Sequence, residues 1–173
     1  MVRSKKDARF FGKPNRYLSF LEHDLATASQ EELNRSLPKV SVVFHLAAAG
    51  VTNLSCDSKD LTAVNVLGTQ KLLAAARDNG VQRFIYIGSC FEYGSGESLD
   101  ESQELRPLSL YAKTKAEASR TVLLSSLLFD LGTVVFRKNA GVQWSFYARI
   151  RKHEIGGRYY GRTSASAFVI LMN

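Results

Sequence analysis

The sequence predicts an α/β protein built on a parallel sheet. Three short runs rich in β-branched and aromatic residues, at 41–46, 83–88 and 132–137, alternate with two longer segments of helical pattern, at 60–79 and 110–129. Strands that alternate with helices form βαβ units, in which the strands run parallel and the helices cover the faces of the sheet. This alternation indicates the fold class but no particular chemistry.

The elements at the start of the chain are short. Residues 16–21 form a β-prone run, and residues 28–37 are predicted to form a short helix that ends before Pro38. Residues 41–46 read SVVFHL, a continuous run typical of a strand that is buried on both faces.

The following elements carry clearer signals. The helix at 60–79 has an apolar stripe, and Gly80 supplies the positive φ that a helix end requires. A polar loop at 94–105 separates the strand at 83–88 from the helix at 110–129. Beyond the strand at 132–137 the pattern weakens. No period of 2 or 3.6 is found at 138–163, and only 164–172 is predicted to form a terminal strand or helix.

The net charge of +7 is concentrated at the two ends of the chain. Residues 1–16 hold six basic residues and one acid, residues 137–173 hold seven and one, and the stretch between them is therefore net −4. A nucleic-acid-binding module more often concentrates its basic residues on one folded face. We therefore expect solvated basic ends and no nucleic acid partner.

Three further classes of protein are disfavoured. The apolar run at 42–49 is far shorter than the roughly 20 residues needed to cross a bilayer, so no membrane partner is expected. No apolar stretch follows the charged N-terminus, as a secretory signal would require. Cys56 and Cys90 alone make neither a disulfide framework nor a metal site. We expect a protein of the reducing cytoplasm.

Tyr111 and Lys115 are the first candidates for chemistry. They lie four residues apart on a predicted helix and therefore project from one face. A phenol titrates near 10, too high for proton transfer at neutral pH, but a neighbouring ammonium lowers that pKa. Tyr111 is thus a candidate acid/base. The alternative is a surface tyrosine packed on the aliphatic part of a lysine.

Ser89 follows the predicted strand at 83–88. The carboxyl end of a parallel strand is where α/β sheets place their active sites. A serine at this point could donate a hydrogen bond to a substrate oxygen. The alternative is a hydroxyl that accepts from a loop amide.

Together these features resemble the extended short-chain dehydrogenase/reductase family, also described as NAD-dependent epimerases and dehydratases. The resemblance covers roughly residues 16–137, and its motifs occur in the family's order and at its spacings. The five motifs are DL at 24–25, SVVFHLAAAG at 41–50, NVLGT at 65–69, the strand and turn at 84–94, and PLSLYAKTK at 107–115.

The resemblance implies a role for each matching residue. Tyr111 would be the acid/base, and Lys115 would lower its pKa and hold the nicotinamide ribose. Ser89 would bind a substrate hydroxyl, and Asn65 would organise its helix and a bound water. The cofactor would be NAD or NADP. The residues implied to bind it are Asp24, Leu25, Leu46, Ala47, Ala48 and Lys115.

The family's Gly-x-x-Gly-x-x-Gly turn, which binds the cofactor pyrophosphate, has no counterpart, since the only early glycine is Gly12. We therefore expect a partial Rossmann-like, doubly wound parallel sheet that lacks the first βαβ unit. Its loss would leave 41–46 with an unpaired edge. Residues 16–21 would then either pair directly with that edge or be loosely attached.

The basic, unpatterned residues after 137 depart from the family as well and resemble a truncated or frameshifted reading, with a tail that packs poorly. We divide the chain into a basic N-terminal segment at 1–15, a partial Rossmann-like NAD(P)-binding domain at 16–137, and an atypical basic tail at 138–173.

The resemblance implies an NAD(P)-dependent epimerase or 4-keto reductase acting on a nucleotide sugar, in a truncated form with little activity. A 4,6-dehydratase is disfavoured because Cys90 and Phe91 stand where polar helpers would follow the serine, and Glu92 would face away on a strand. The rival is a non-catalytic dinucleotide-binding or scaffold relic. A homodimer through the helices at 60–79 and 110–129 is also implied.

Overall fold

The computed structural model describes residues 21–50, 57–95, 103–129, 131–138, 144–149 and 168–171. Within these ranges five strands form one sheet: β1 (Val42–His45), β2 (Arg83–Ile87), β3 (Gly132–Lys138), β4 (Trp144–Arg149) and β5 (Phe168–Leu171). The α-helices described are α1 (Gln30–Ser36), α2 (Ser58–Leu61), α3 (Thr69–Asp78) and α4 (Leu110–Leu128). A π-helical segment, Thr62–Gly68, joins α2 to α3, and a 3₁₀ helix, Cys90–Tyr93, follows β2.

The sheet has the strand order β4-β3-β2-β1-β5. β1 pairs in parallel with β2, and β2 pairs in parallel with β3. The helical run from α2 to α3 connects β1 to β2, and α4 connects β2 to β3. These parallel connections confirm the predicted Rossmann-like α/β class, and they bring the carboxyl ends of β1 and β2 to the same edge.

The prediction of an unpaired edge at 41–46 is wrong. β5 pairs in parallel with β1, from Val42 opposite Phe168 to His45 opposite Leu171. A free strand edge leaves backbone N–H and C=O groups without partners, and β5 satisfies those of β1. The strand predicted at 16–21 lies outside the described residues except for its last position. Of the two alternatives for that segment, direct pairing with this edge of β1 is contradicted, because β5 occupies the edge.

The basic tail contributes strands that its sequence predicted only in part. The terminal element expected at 164–172 is confirmed as β5. β4, however, lies within 138–163, where no regular element was predicted, and it pairs antiparallel with β3. Main-chain hydrogen bonds hold such an edge strand, and they require no alternating side-chain pattern. The expected poorly packed tail therefore supplies both outer strands, while the three-part division of the chain stays a prediction.

Local capping interactions explain where the helices begin. Ser29 starts α1 with a capping box, in which its Oγ accepts from the Glu32 N–H at 3.2 Å and its own N–H donates to Glu32 Oε2 at 2.8 Å. Asp57 and Ser109 cap α2 and α4 by accepting from backbone N–H groups of the first turn. Gly80, with φ of +71°, follows α3 as predicted. None of the described helices is both long enough and apolar enough to span a membrane.

The hydrophobic core lies between the helices and one face of the sheet. Val43, Phe84 and Tyr86 point into it from β1 and β2 and have no exposed surface. Their neighbours on the opposite face of the strands are less buried. The helical residues of the same cluster are Leu33, Leu72, Leu73, Ala75, Ala76, Ala118 and Val122. This packing presses α3 and α4 onto the sheet and so sets their position relative to its carboxyl edge.

Leu72 allows a test of this core. It lies in α3 with no exposed surface, so Leu72→Ala is expected to lower the free energy of unfolding by about 2–5 kcal/mol through lost burial and a residual cavity. Leu108→Ala is the matched control because Leu108 is 72% exposed, and it should change stability by less than about 0.5 kcal/mol. Urea unfolding of both variants measures the difference, and equal losses would contradict the core assignment.

Candidate functional site

The predicted site residues gather at the carboxyl edge of β1 and β2. β1 leads into the loop at 46–50, and β2 leads through Ser89 into the 3₁₀ helix. The first turns of α4, which carry Tyr111 and Lys115, contact the 3₁₀ helix and the π-helical segment. Four short elements therefore meet where α/β sheets bind ligands.

Lys115 is buried at the end of β2. Its exposed fraction is 2%, and its Nζ donates a hydrogen bond of 2.7 Å to the Ile87 carbonyl. Nζ also lies 4.2 Å from the centre of the Tyr86 ring, a cation–π contact. Burial lowers the pKa of the ammonium to about 8, and the Glu92 carboxylate acts in the opposite direction. At neutral pH the side chain is thus mainly charged and held in one place.

Tyr111 is half-buried on the same helix, and the structure brings it together with Ser89. Burial raises the pKa of the phenol above its ordinary value, a hydrogen bond with the Ser89 hydroxyl lowers it, and the Glu92 carboxylate raises it. The expectation that Lys115 lowers this pKa is not met. The Lys115 ammonium is directed at the Ile87 carbonyl, and the desolvation of Tyr111 is the larger effect.

Glu92 lies in the site, contrary to the prediction that it would face away. β2 ends at Ile87, and the chain then turns into the 3₁₀ helix, so strand alternation no longer applies. Ser89 N–H donates to Glu92 Oε1 at 2.8 Å, and Ser89 Oγ accepts from Phe91 N–H at 3.3 Å. A serine followed three residues later by a glutamate is the sequence pattern of a capping box. That signal was present and was missed.

Asn65 ties the loop after β1 to α4. Its Oδ1 accepts from the Ala49 N–H at 2.8 Å, and its Nδ2 donates to the Ala49 carbonyl at 3.2 Å and to Thr114 Oγ1 at 3.1 Å. Thr114 in turn donates to the Tyr111 carbonyl at 2.9 Å. Asn65 sits in the π-helical segment, a widened turn that occurs most often at functional sites. These hydrogen bonds hold the loop after β1 against α4, and the role that the resemblance implies, organising its helix and a bound water, stays a prediction.

His45 contacts this network through Thr69. Its Nε2 lies 2.8 Å from Thr69 Oγ1, which also contacts the Asn65 carbonyl at 2.7 Å. Thr69 has a single hydroxyl hydrogen, so both contacts are hydrogen bonds only if Thr69 donates to the carbonyl and His45 Nε2–H donates to Thr69. Burial, assisted by the nearby Lys115 charge, lowers the pKa of His45 to about 3. His45 is therefore a neutral structural residue.

Gly50 lets the loop after β1 approach Tyr111. Its φ is +82°, a conformation that side chains disfavour. A Cβ at this position would lie 2.5 Å from Leu61 Cδ2 and 3.2 Å from Tyr111 Cδ2. The glycine therefore has both a conformational and a steric reason to be there, neither of which the sequence pattern indicated.

Asp24 and Leu25, the pair that the resemblance implies to contact adenine, make contacts within the fold. Asp24 Oδ1 accepts from the Ala26 N–H at 2.9 Å, which closes a turn. The Leu25 side chain is buried in the core, and a Cβ on Gly68 would lie 3.0 Å from Leu25 Cβ. The Leu25 carbonyl accepts from Lys71 Nζ at 3.0 Å. The side chain of Leu25 is thus packed in the core, and the predicted contact with adenine stays a prediction.

The loop residues predicted to follow the cofactor differ in exposure. Ala47 is 2% exposed and belongs to the core, Leu46 is 39% exposed, and Ala48 is partly exposed. The predicted role of Leu46, Ala47 and Ala48 in binding the cofactor stays a prediction.

Comparison with known sequences gives a consistent family. Residues 2–139 match the sequence model of the NAD dependent epimerase/dehydratase family. The chain is 36% identical over 111 residues to 4-hydroxy-2-methyl-3-oxo-4-farnesyl-3,4-dihydroquinoline-1-oxide ketoreductase from Stigmatella aurantiaca. That alignment covers 61% of this chain and 31% of the ketoreductase.

Two solved structures share the fold and contain NAD. UDP-glucose 4-epimerase from Brucella ovis is 28% identical with a TM-score of 0.59, covering 70% of this chain and 38% of the epimerase. A double mutant of DesIV, a dTDP-glucose 4,6-dehydratase from Streptomyces venezuelae, is 31% identical with a TM-score of 0.65. The match covers 75% of this chain and 40% of the dehydratase. The chain spans less than half the length of each of these three proteins.

The neutral state of His45 predicts a loss of stability in acid. The unfolded chain takes up a proton at this residue below about pH 6.5, whereas the folded protein does so only near pH 3. Because the unfolded state binds more protons in this window, His45 should lower the free energy of unfolding by about 1.4 kcal/mol per pH unit below 6.5.

Urea unfolding between pH 7 and pH 5 checks this slope. His45→Gln keeps a donor for Thr69 and should lack the contribution, while His23→Gln, at a partly exposed histidine, should retain it. An unchanged slope in His45→Gln would show that this histidine is not held neutral by burial.

Proposed function

Because the chain belongs to the NAD-dependent epimerase/dehydratase family, we propose that its site serves an NAD(P)-dependent epimerase or 4-keto reductase acting on a nucleotide sugar. The observation that carries this proposal is the meeting of Ser89, Tyr111 and Lys115 at the carboxyl end of β2. The NAD-bound epimerase and the ketoreductase among the relatives support the cofactor and the two reaction classes.

The positions of the three side chains match the steps that such a reaction needs. Tyr111 Oη transfers a proton to or from a sugar hydroxyl or carbonyl oxygen, and the Ser89 hydroxyl binds the same oxygen. NAD(P), when bound, takes up or returns the hydride. Because the pKa of Tyr111 is raised, its phenol is protonated at neutral pH and is ready to act as an acid.

Lys115 fits the role of a cofactor ligand. An ammonium has three N–H donors, and within the described residues its Nζ contacts are the Ile87 carbonyl and the Tyr86 ring. One donor is left for an acceptor such as a ribose hydroxyl. If a bound ribose drew the Lys115 ammonium towards Tyr111, that charge would also favour the phenolate. Without a bound cofactor, Lys115 does not lower the pKa of Tyr111 in this way.

A nucleotide-sugar 4,6-dehydratase is the second candidate, and two observations favour it. The DesIV dehydratase is among the solved structures similar to this chain, at 31% identity. Elimination of water needs a further acid/base, and Glu92 is a carboxylate among the site residues. Cys90 and Phe91 still oppose it, since they are the residues directly after Ser89 and neither is an acid, and Phe91 is 61% exposed. A dehydratase would release a 4-keto-6-deoxy sugar, whereas an epimerase would return the inverted sugar.

A fluorescence titration of the purified chain with NADH and NADPH tests the proposal. Lys115→Met should weaken binding at least tenfold, because the ribose loses a charged donor. Lys113→Met is the matched control, since Lys113 is exposed on the same helix, and its affinity should be unchanged. Tyr111→Phe should keep the affinity and lower turnover of UDP-glucose or of a 4-keto sugar by about 10²–10⁴-fold.

The outcomes separate the candidates. Formation of a 4-keto-6-deoxy sugar from dTDP-glucose would favour the dehydratase. Cofactor binding without turnover would favour a dinucleotide-binding relic. No binding of either cofactor would contradict the proposal.

We further propose that the protein dimerises through α3 and α4. Their outer surfaces border an apolar groove of about 260 Å³. Three of the residues that line this groove, at the C-terminal end of α4, are large apolar residues with exposed side chains: Leu124, Leu128 and Phe129. An apolar groove with exposed leucine and phenylalanine side chains is typical of an interaction surface.

Sedimentation velocity tests the dimer. Leu124→Glu places a charge in the groove and should convert a dimer into a monomer, because an unpaired charge would be buried at the interface. Leu108→Glu introduces the same charge at a residue that is 72% exposed before α4, and it should leave the dimer intact. A monomeric parent protein at micromolar concentration would contradict the dimer.

A further inference from the structure

Glu92 is the acidic side chain that, among the described residues, has no exposed surface. Moving an ionised carboxylate out of water costs several kcal/mol unless hydrogen bonds and opposite charges compensate. The proton transfer and cofactor binding described above do not require it. Its burial next to the site therefore calls for a physical explanation.

The contacts of Glu92 lead to both halves of the site. Oε1 accepts the Ser89 N–H at 2.8 Å, which fixes the backbone of the residue whose hydroxyl meets Tyr111. The 3₁₀ helix that carries Glu92 packs against α4, on which Lys115 is 2% exposed, and the carboxylate raises the pKa of both Lys115 and Tyr111. Glu92 therefore contacts the strand end directly and acts on the two functional groups of α4 through its charge.

We propose that Glu92 is a positioning residue, which holds Ser89 in its capped conformation and provides the negative charge that balances the buried Lys115 ammonium. This inference rests on the proposed function of the site. Glu92 does not transfer a proton itself. It acts through Ser89 and Lys115.

The electrostatic surroundings of Lys115 explain why a counter-charge is needed. His45 approaches it from β1 but is neutral, the Tyr86 ring from β2 offers only a π face, and Tyr111 on its own helix is a neutral phenol. Burial alone depresses the pKa of Lys115, and the Glu92 carboxylate opposes that effect. The same carboxylate keeps the Tyr111 phenol protonated.

The titration of Lys115 in the full chain tests this role. With lysine labelled by ¹³C at Cε, the Lys115 resonance is identified by its absence in Lys115→Met, and its pKa is read from the shift against pH. Glu92→Gln keeps an oxygen that can accept from Ser89 N–H but removes the charge. It should lower the pKa of Lys115 by about one unit.

Two further variants complete the test. Glu92→Asp keeps the charge and should leave the pKa of Lys115 within about 0.3 unit of the parent. Glu117→Gln removes a charge from the exposed side of α4 and should have no effect of comparable size. A merely structural role for Glu92 would not move this pKa. A Lys115 pKa in Glu92→Gln equal to that in Glu117→Gln would overturn the proposal.

The titration does not depend on cofactor binding. If neither the parent nor any variant binds NADH or NADPH, the proposed function fails while the pKa of Lys115 still decides the role of Glu92. If the parent binds NADH, its affinity should decline as pH rises through the pKa of Lys115. In Glu92→Gln the same decline should begin about one pH unit lower, and an unshifted decline would contradict the inference.

Discussion

The hydrogen bond between Lys115 Nζ and the Ile87 carbonyl is the contact on which the rest of the site depends. It joins α4 to the last residue of β2, at the point where the chain leaves the sheet. Because the Lys115 side chain is only 2% exposed, breaking this bond would leave an ammonium in the interior without its carbonyl acceptor. This cost fixes the rotation of α4 about its axis, and Tyr111, one turn earlier, is thereby directed at Ser89.

Around this contact the site is organised in two layers. Asn65 and Thr114 connect the loop after β1 to the backbone of Tyr111, and His45 and Thr69 hold Asn65 from below. Every described link in this chain of hydrogen bonds has one neutral donor and one neutral acceptor. The charged groups, Lys115 and Glu92, lie in the layer beside Ser89 and Tyr111, so their electrostatic effects act on the phenol proposed to transfer a proton.

Much of the fold could be predicted because it rests on local patterns. The strands β1, β2 and β3 and the helices α1, α3 and α4 follow β-branched runs, apolar stripes and capping residues such as Ser29 and Gly80. β4 could not be found in the same way, since its pairing with β3 depends on main-chain groups that every residue carries. The partner of β1 was missed for a related reason, because sequence alone does not state which distant strand meets an open edge.

For the site, the sequence predicted the positions of three residues but not their electrostatic interactions. The spacing of Tyr111 and Lys115 located both residues, and the strand end located Ser89, because helix and strand geometry relate sequence distance to direction. The sign of the electrostatic effect on Tyr111 was wrong, since it depends on burial and on Glu92 rather than on spacing. Glu92 itself was misplaced because a 3₁₀ turn replaces strand alternation directly after Ile87.

The pairing of β1 with β5 has a consequence for folding during synthesis. The two strands are separated by more than one hundred residues, so this part of the sheet has a high contact order and forms late. The units from β1 to β3 can assemble as soon as α4 and β3 have left the ribosome, but one edge of β1 then stays open until residues 168–171 emerge. During that interval the growing chain exposes a strand edge that other chains can join, so its yield should depend on chaperones more than on the stability of the finished fold.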